Sequence, residues 1–295
     1  MNGVILINKE KDYTSFDVVA VVRKLTGQKK VGHTGTLDPN ATGVLPVLLG
    51  TATKAQDIIP CHDKKYLADF KLGVATDTLD IWGKVTEEKT AAATEEEIKR
   101  ALGSFRGEID QLPPMYSAVS VDGKRLYQYA REGKQVERRP RRVTVYSLEL
   151  LSFDEQTQTG RLDIYCSNGT YIRTLIDDIA RSLGSVGVMT DLQRYEACGY
   201  CIDDCMTLGE LRERVQSGDM SYLLSVESIF ASYPELVVSD RQAHRFVNGN
   251  PLDTARTALK NSHEDKKIYR VKDRQGCFLS LGITDGESLK LYKHF

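Results

Sequence analysis

A single tryptophan, six cysteines with one CxxC among them, and no apolar run near the ~18 residues of a membrane span mark what this sequence does without. The last absence excludes a transmembrane helix. The apolar run within the first nine residues has no basic stretch before it and no small-residue cleavage site after it. It reads as a first strand rather than a signal peptide, and a cytoplasmic protein is expected. Cysteines stand at 61, 166, 198, 201, 205 and 277. A structural zinc site wants four ligands, usually from two paired knuckles. Cys198, Cys201 and Cys205 have no second pair, and His244 and His263 lie far off in the chain. No metal is expected, and the cysteines read as small buried hydrophobes. Charge of one sign is lacking too, since 40 basic residues against 41 acidic ones leave a net −1. That balance excludes a uniformly basic chain, but nucleic-acid binding needs only a local basic surface.

One such surface is present. Lys124, Arg125, Arg131, Lys134, Arg138, Arg139, Arg141 and Arg142 fall within nineteen residues that also hold Tyr127 and Tyr129. A solvated charged helix is the commoner fate of such a run. The alternative is a grip on an RNA backbone with interleaved aromatics.

The densest signal is the stretch Gly32-His33-Thr34-Gly35-Thr36-Leu37-Asp38-Pro39-Asn40-Ala41-Thr42-Gly43. It has neither helical nor strand periodicity, and the apolar run Val44-Leu45-Pro46-Val47-Leu48-Leu49 follows at once. Glycines let the backbone turn tightly and approach a ligand, and Pro39 holds Asp38 extended. A rigid loop that fixes one carboxylate on an apolar base results. That carboxylate could be a nucleophile, a general base or a metal ligand. It could also be the capping Asp of an ordinary glycine-rich surface loop.

The chain of 295 residues, 41% hydrophobic and 27% charged, suits one large globular domain plus a small one. A helix begins at Ser15, carries Phe16, Val19, Val22 and Leu25 inward and stops at Gly27. Tyr66, Ala68, Phe70 and Leu72 share one face of a half-buried strand. Thr94 with Glu97, and Thr207 with Glu210, form capping boxes that open helices. Residues 142–153 and 161–166 read as strands, Asn168-Gly169 as a turn. Thr170 then caps a helix whose buried stripe is Ile172, Leu175, Ile176, Ile179 and Leu183. Near Tyr233-Pro234 the texture changes: a helix over 240–248 capped by Ser239, a polar loop over 260–267, and strands at 268–271, 277–282 and 288–292. An α+β architecture is expected, with a mixed, largely antiparallel sheet and flanking helices.

The loop resembles the signature of the bacterial tRNA pseudouridine synthases of the TruB family, which isomerise uridine 55 of the T arm. Four further segments carry the likeness over most of 3–210. Ile7-Asn8-Lys9 with Thr14-Ser15-Phe16-Asp17 is similar to the family's opening motif, with Glu10 where proline is usual. Lys64-Lys65-Tyr66 resembles its active-site tyrosine strand, and Cys166 to Leu175 its active-site arginine segment. Leu112-Pro113-Pro114-Met115-Tyr116-Ser117-Ala118 resembles the start of an RNA-gripping insertion over about 112–142, with Ser120 where lysine is common. The resemblance implies a catalytic domain over 1–232 and a PUA-like RNA-binding β-barrel domain over 233–295. It implies tRNA as partner, no obligatory protein partner, a monomer and no cofactor.

It also implies roles. Asp38 is the family's catalytic carboxylate, Arg173 its cation and Tyr66 the ring against the target base. Tyr171 and Leu192 line the base pocket, and His33 stacks in the space an extruded base leaves. Lys64, Lys124, Arg125, Arg138, Arg139, Arg141 and Arg142 are candidates for RNA-backbone contact. Each residue has a plainer alternative: core packing for Tyr66 and Leu192, an exposed helix position for Arg173, a surface imidazole for His33. The isomerisation breaks N1–C1′ and forms C5–C1′, with Asp38 acting at C6, at C1′ or on the C2′ proton. In each version it must be ionised, which a nearby cation favours. Two rivals remain: the RNA-guided branch, which usually carries basic tails that the Leu291–Phe295 end lacks, and an RNA chaperone without chemistry.

Overall fold

The computed structural model describes residues 1–260 and 264–295, so His263 and part of the polar loop expected over 260–267 lie outside the described residues. Nine strands form the larger sheet. Its path runs through Gly3–Lys9, Thr42–Leu49, Gly187–Ala197, Lys64–Leu72, Thr159–Cys166, Arg141–Asp154 and Gly107–Gln111. Val31–His33 pairs with Thr42–Leu49, and Tyr200–Cys201 with Gly187–Ala197. All these pairings are antiparallel except that of Thr42–Leu49 with Gly187–Ala197, which is parallel and only two residue pairs long: Gln193 with Thr42 and Arg194 with Gly43. The glycine-rich loop enters the sheet at this junction, which puts Arg194 beneath it. Gly43 sits there at φ +107°, and a Cβ would lie 2.1 Å from the Arg194 carbonyl oxygen. No other residue fits that backbone.

The helix Ser15–Thr26 has the predicted ends: Thr14 and Asp17 close a capping box, and Gly27 takes φ +65°. Its buried face differs from the expected one. Ser15, Val18, Val19 and Val22 point inward, while Phe16 is 69% exposed. The cause is a polar anchor. The Ser15 hydroxyl donates to the Leu37 carbonyl at 3.1 Å and accepts the Leu37 N–H at 2.8 Å, fixing the loop to the helix. With Ser15 inward, the next residue is turned about 100° away.

In the helix Ile172–Ser182 the expected stripe is buried at Ile172, Leu175, Ile176 and Ile179, while Leu183 is the half-buried C-cap. Its start is not capped by Thr170, whose hydroxyl donates to the Ser167 carbonyl instead. Tyr171 is the N-cap, and the buried Gln111 side chain holds it at both ends. Gln111 Oε1 accepts the Tyr171 N–H at 2.7 Å, and Nε2 donates to the Tyr171 carbonyl at 3.0 Å. Helix and sheet are thereby locked two residues before Arg173.

Residues 112–140 leave the sheet between two paired strands, since Gln111 and Arg141 are register partners. The basic run within them is not a single charged helix. It contains a small hairpin of Ser120–Val121 with Lys124–Arg125, the short helix Leu126–Arg131, and an irregular stretch that rejoins the sheet at Arg141.

The C-terminal residues form a separate five-stranded sheet with the helix Asp240–Val247, whose Phe246 is buried in it. Beside the three expected strands stand Glu235–Val237 and Leu252–Asp253, too short to show alternation. The module packs on the larger sheet's edge, where Leu281, Phe278 and Phe295 share a cluster with Val4, Leu6, Leu48 and Phe230. The cysteines are not uniformly buried: Cys166 is, but Cys61, Cys201 and Cys277 are exposed.

The parallel junction generates a stability prediction. Gly43→Ala forces a Cβ into backbone and an unfavourable φ, so it should destabilise the fold by at least about 2 kcal/mol. Urea denaturation followed by circular dichroism measures it. A midpoint equal to wild type would show that the junction is not the tight constraint described.

Candidate active site

A loop without regular secondary structure must satisfy its backbone carbonyls elsewhere. Here buried cations do so. Lys9, fully buried, donates from Nζ to the carbonyls of Glu10 (2.9 Å), Tyr13 (2.6 Å) and Pro39 (2.9 Å). Burial pushes its ammonium down to about 8, with the Asp38 charge pulling the other way. Arg194 is also fully buried and donates to the carbonyls of Val44 (2.8 Å), Gly35 (3.1 Å) and Thr36 (3.4 Å). Lys64 sits behind Gly35, where an added Cβ would lie 3.4 Å from its Cε. The side chains of Leu37 and Ala41 drop into a core shared with Tyr66, Leu192 and Ile172. Pinned through its carbonyls and floored by apolar side chains, the loop holds its one carboxylate at the surface.

That carboxylate meets a fork. Asp38 Oδ2 lies 2.9 Å from Arg173 Nε, and Oδ1 accepts from Arg173 Nη2 at 3.2 Å. One charge-assisted hydrogen bond and one close ion-pair contact, each to its own carboxylate oxygen, fix both distance and plane. The Arg173 side chain is 7% exposed and that of Asp38 38%, so the cation forms the back wall and the carboxylate faces the opening. The remaining guanidinium donors reach the carbonyls of Thr78 (2.8 Å) and Tyr116 (3.0 Å). A cation in a helix's first turn opposes the dipole; these four contacts, to three residues, hold it there against that penalty. They also tie together the loop, the turn at 77–83 and the start of the insertion. Asp80 stands 3.9 Å from Arg173 Nη1. Burial raises its carboxyl above the ordinary range, while the Thr78 hydroxyl and the Arg173 charge pull it down.

Tyr66 is buried on the strand Lys64–Leu72, with Ile164 and Arg194 as its neighbours across the sheet. Burial pushes its hydroxyl up to about 12, against the opposing Arg194 charge, so it remains a neutral phenol at physiological pH. Leu192 is buried in the same cluster, so its packing role is real whatever else it does. His33 ends the short strand beside the loop. Its Nδ1 is buried without a hydrogen-bond partner, and burial and Arg194 together lower its affinity for a proton. Tyr171, half-buried, is the N-cap two residues before Arg173. Asp38 and Arg173 are thus in direct contact, and Tyr66 and Leu192 belong to the apolar core on which Leu37 and Ala41 of the loop rest.

The expected RNA-backbone residues divide. Lys64 does not present its charge to solvent: it is buried, and its ammonium donates to the His62 carbonyl and to Asn168 Oδ1, each at 2.8 Å. Its place is structural, behind the loop. Lys124 pairs with Glu132 and lies over the Tyr129 ring. Arg125 donates to the Ala118 carbonyl and Arg138 to the Pro113 carbonyl. Arg142 pairs with Asp110 and Glu108 on exposed surface, where such pairs are weak and exchangeable. Arg139 and Arg141 are exposed.

Sequence reasoning missed Arg194, Gln111, Asp80 and the task of Lys9. For Lys9 and Arg194 the only local signal is a polar residue on an otherwise largely buried strand; Gln111 and Asp80 have none. Among the described residues, no three His, Cys, Asp or Glu side chains gather as a metal site would require. No helix of the described residues is long and apolar enough to cross a membrane.

With this geometry in place, comparison with known proteins is decisive about kinship. Residues 23–172 match the family described as TruB family pseudouridylate synthase (N terminal domain). A tRNA pseudouridine synthase B of Clostridium perfringens is 42% identical, covering 99% of this chain and 98% of its own. One from Geobacillus thermodenitrificans is 45% identical over 84% and 85% of the two chains. In fold, the chain superposes on a crystal structure of a Cbf5-Nop10-Gar1 complex with a TM-score of 0.74, covering 99% of this chain and 84% of that one at 24% identity. An H/ACA RNP bound to a substrate RNA containing 2′-deoxyuridine gives the same score at 23% identity. The α+β sheet with its C-terminal PUA-like module is thus the fold of pseudouridine synthases, and the chain belongs to the TruB family.

Proposed function

We propose that this protein is a tRNA pseudouridine synthase that isomerises uridine 55 of the T arm. The observation that carries the proposal is the fork between Arg173 and Asp38, set on a pinned loop and open to solvent on one side. The reaction breaks N1–C1′, turns the uracil, joins C5 to C1′, and moves one proton from C5 while N1 takes one up. It involves no net redox change, so it needs no cofactor. Asp38 supplies the carboxylate that adds to the ring or acts at the sugar, and Arg173 keeps it oriented. Tyr66 lies against the base. As a neutral phenol it can take the C5 proton only by passing its own onward, so its role is a relay rather than a phenolate base.

The uridine sits inside a folded loop, so it must be extruded at a cost of a few kcal/mol. His33 would stack in the vacated space as a neutral ring. Leu192 and Tyr171 would border the extruded base. Residues 1–232 would form the catalytic domain, the insertion its RNA grip, and 233–295 an RNA-binding domain; the second sheet falls wholly within the last of these. A monomer acting without an obligatory protein partner, in the cytoplasm, completes the proposal.

Three outcomes are expected. Asp38→Asn keeps shape and removes the carboxylate's basicity and nucleophilicity. It should abolish product in single-turnover assays on T-arm RNA, read by nucleoside chromatography, while affinity falls less than about fivefold. Activity within tenfold of wild type would remove Asp38 from the mechanism.

For Arg173, lysine keeps the charge and loses the fork. Arg173→Lys should therefore lose at least about tenfold in single-turnover rate, and Arg173→Met about a hundredfold or more. A Met variant at near-wild-type rate would make the fork incidental.

Binding should weaken with salt, since each phosphate contact releases counterions. Replacing the exposed pair Arg139 and Arg141 by Ala should lower the slope of log K against log salt by about one per residue. An unchanged slope would place the grip on another surface.

A further inference from the structure

The sequence's one tryptophan, Trp82, is 47% exposed, and its neighbour Ile81 is 41% exposed. Both lie on the turn at 77–83, the turn whose Thr78 carbonyl and Asp80 carboxylate back Arg173. An indole left in water on the turn that backs Arg173 is a platform with no aromatic partner among the described residues.

The turn is rigid. Asp77 exchanges hydrogen bonds with Lys84: its N–H donates to the Lys84 carbonyl at 3.0 Å, and its Oδ1 accepts the Lys84 N–H at 2.8 Å. The Asp80 carbonyl accepts from the Thr76 hydroxyl at 2.6 Å and from the Gly83 N–H at 3.1 Å. The Trp82 N–H donates to Asp80 Oδ1 at 3.2 Å, so the indole's backbone is fixed to the carboxylate beside Arg173. Ile81 N–H to the Met189 carbonyl (2.9 Å) and Met189 N–H to the Leu79 carbonyl (3.2 Å) stitch the turn to the central sheet. Leu79 holds φ +62°, and a Cβ on Gly83 would lie 2.2 Å from the Thr78 hydroxyl oxygen. Such a backbone has lost its conformational freedom on folding, so a base that stacks here pays little further ordering cost.

We infer that Trp82, with Ile81 beside it, stacks against an RNA nucleobase flanking the extruded uridine, making the turn at 77–83 a substrate-binding wall. The inference rests on the pseudouridine-synthase reading and extends it to a residue outside the reacting groups. The stretch is continuous with the Arg173 wall, and the exposed Lys84 adds a charge complementary to phosphate. Trp82 touches substrate without taking part in bond changes, so its loss should appear in binding and not in chemistry.

The single tryptophan makes the test direct. In the Asp38→Asn protein, saturating T-arm stem-loop RNA should quench and shift the tryptophan emission. In otherwise wild-type protein, Trp82→Ala should raise KM for that RNA by about tenfold with kcat within threefold, and Trp82→Phe should restore most of the loss. A KM for Trp82→Ala within twofold of wild type, or emission unchanged at saturation, would overturn the inference. Wild-type protein is assayed in parallel. If it forms no pseudouridine, the functional reading fails; if it is active and Trp82→Ala behaves identically, only the stacking wall fails.

Discussion

Everything at this site depends on holding an irregular loop rigid without giving it secondary structure. The solution is two fully buried cations, Lys9 and Arg194, spent on backbone carbonyls rather than on carboxylates. Removing an ammonium and a guanidinium from water costs several kcal/mol each unless their donors are met. The carbonyls of the loop and its flanks meet them, and the Gly35, Thr36 and Pro39 carbonyls are satisfied in the same contacts. One consequence is electrostatic. The buried positive charge around the loop leaves Asp38 as its exposed acid, and the Arg173 fork sets its orientation.

The same constraint explains where the elements lie. Arg194 reaches the loop because its strand meets Thr42–Leu49 in parallel for just two residues, at the point where the loop enters. Ser15 faces inward to take both polar groups of Leu37, at the expense of turning Phe16 to solvent. Gln111 clamps Tyr171 and so sets the start of the helix that carries Arg173. Long-range polar contacts of this kind join parts of the chain far apart in sequence, and each serves the position of one carboxylate.

That division also marks what the sequence could disclose. Helix starts were legible where a capping box is local: Thr94 with Glu97 and Thr207 with Glu210 both form. The strand bearing Tyr66 was legible through its alternation, and the loop through its composition and family likeness. Asp38 and Arg173 could be named from the motifs, but their bidentate contact is a fact of the fold. Phe16, Arg194, Gln111 and Asp80 were not legible, since a contact across the sheet overrode or escaped the local pattern. Lys64 illustrates the same limit, since a lysine beside a motif reads as surface charge until the fold buries it. The two- and three-residue strands of the C-terminal module are too short for any periodicity to register.

The central claim is that the pinned, forked carboxylate makes this chain an isomerase of uridine in T-arm RNA. Tritium release from T-arm RNA labelled at uridine C5 tests it most directly, because only detachment of the C5 proton frees the label. Purified protein should release tritium from one uridine per RNA, catalytically and without added cofactor. Release no greater than in a protein-free blank, with RNA bound and the protein folded, would contradict the account.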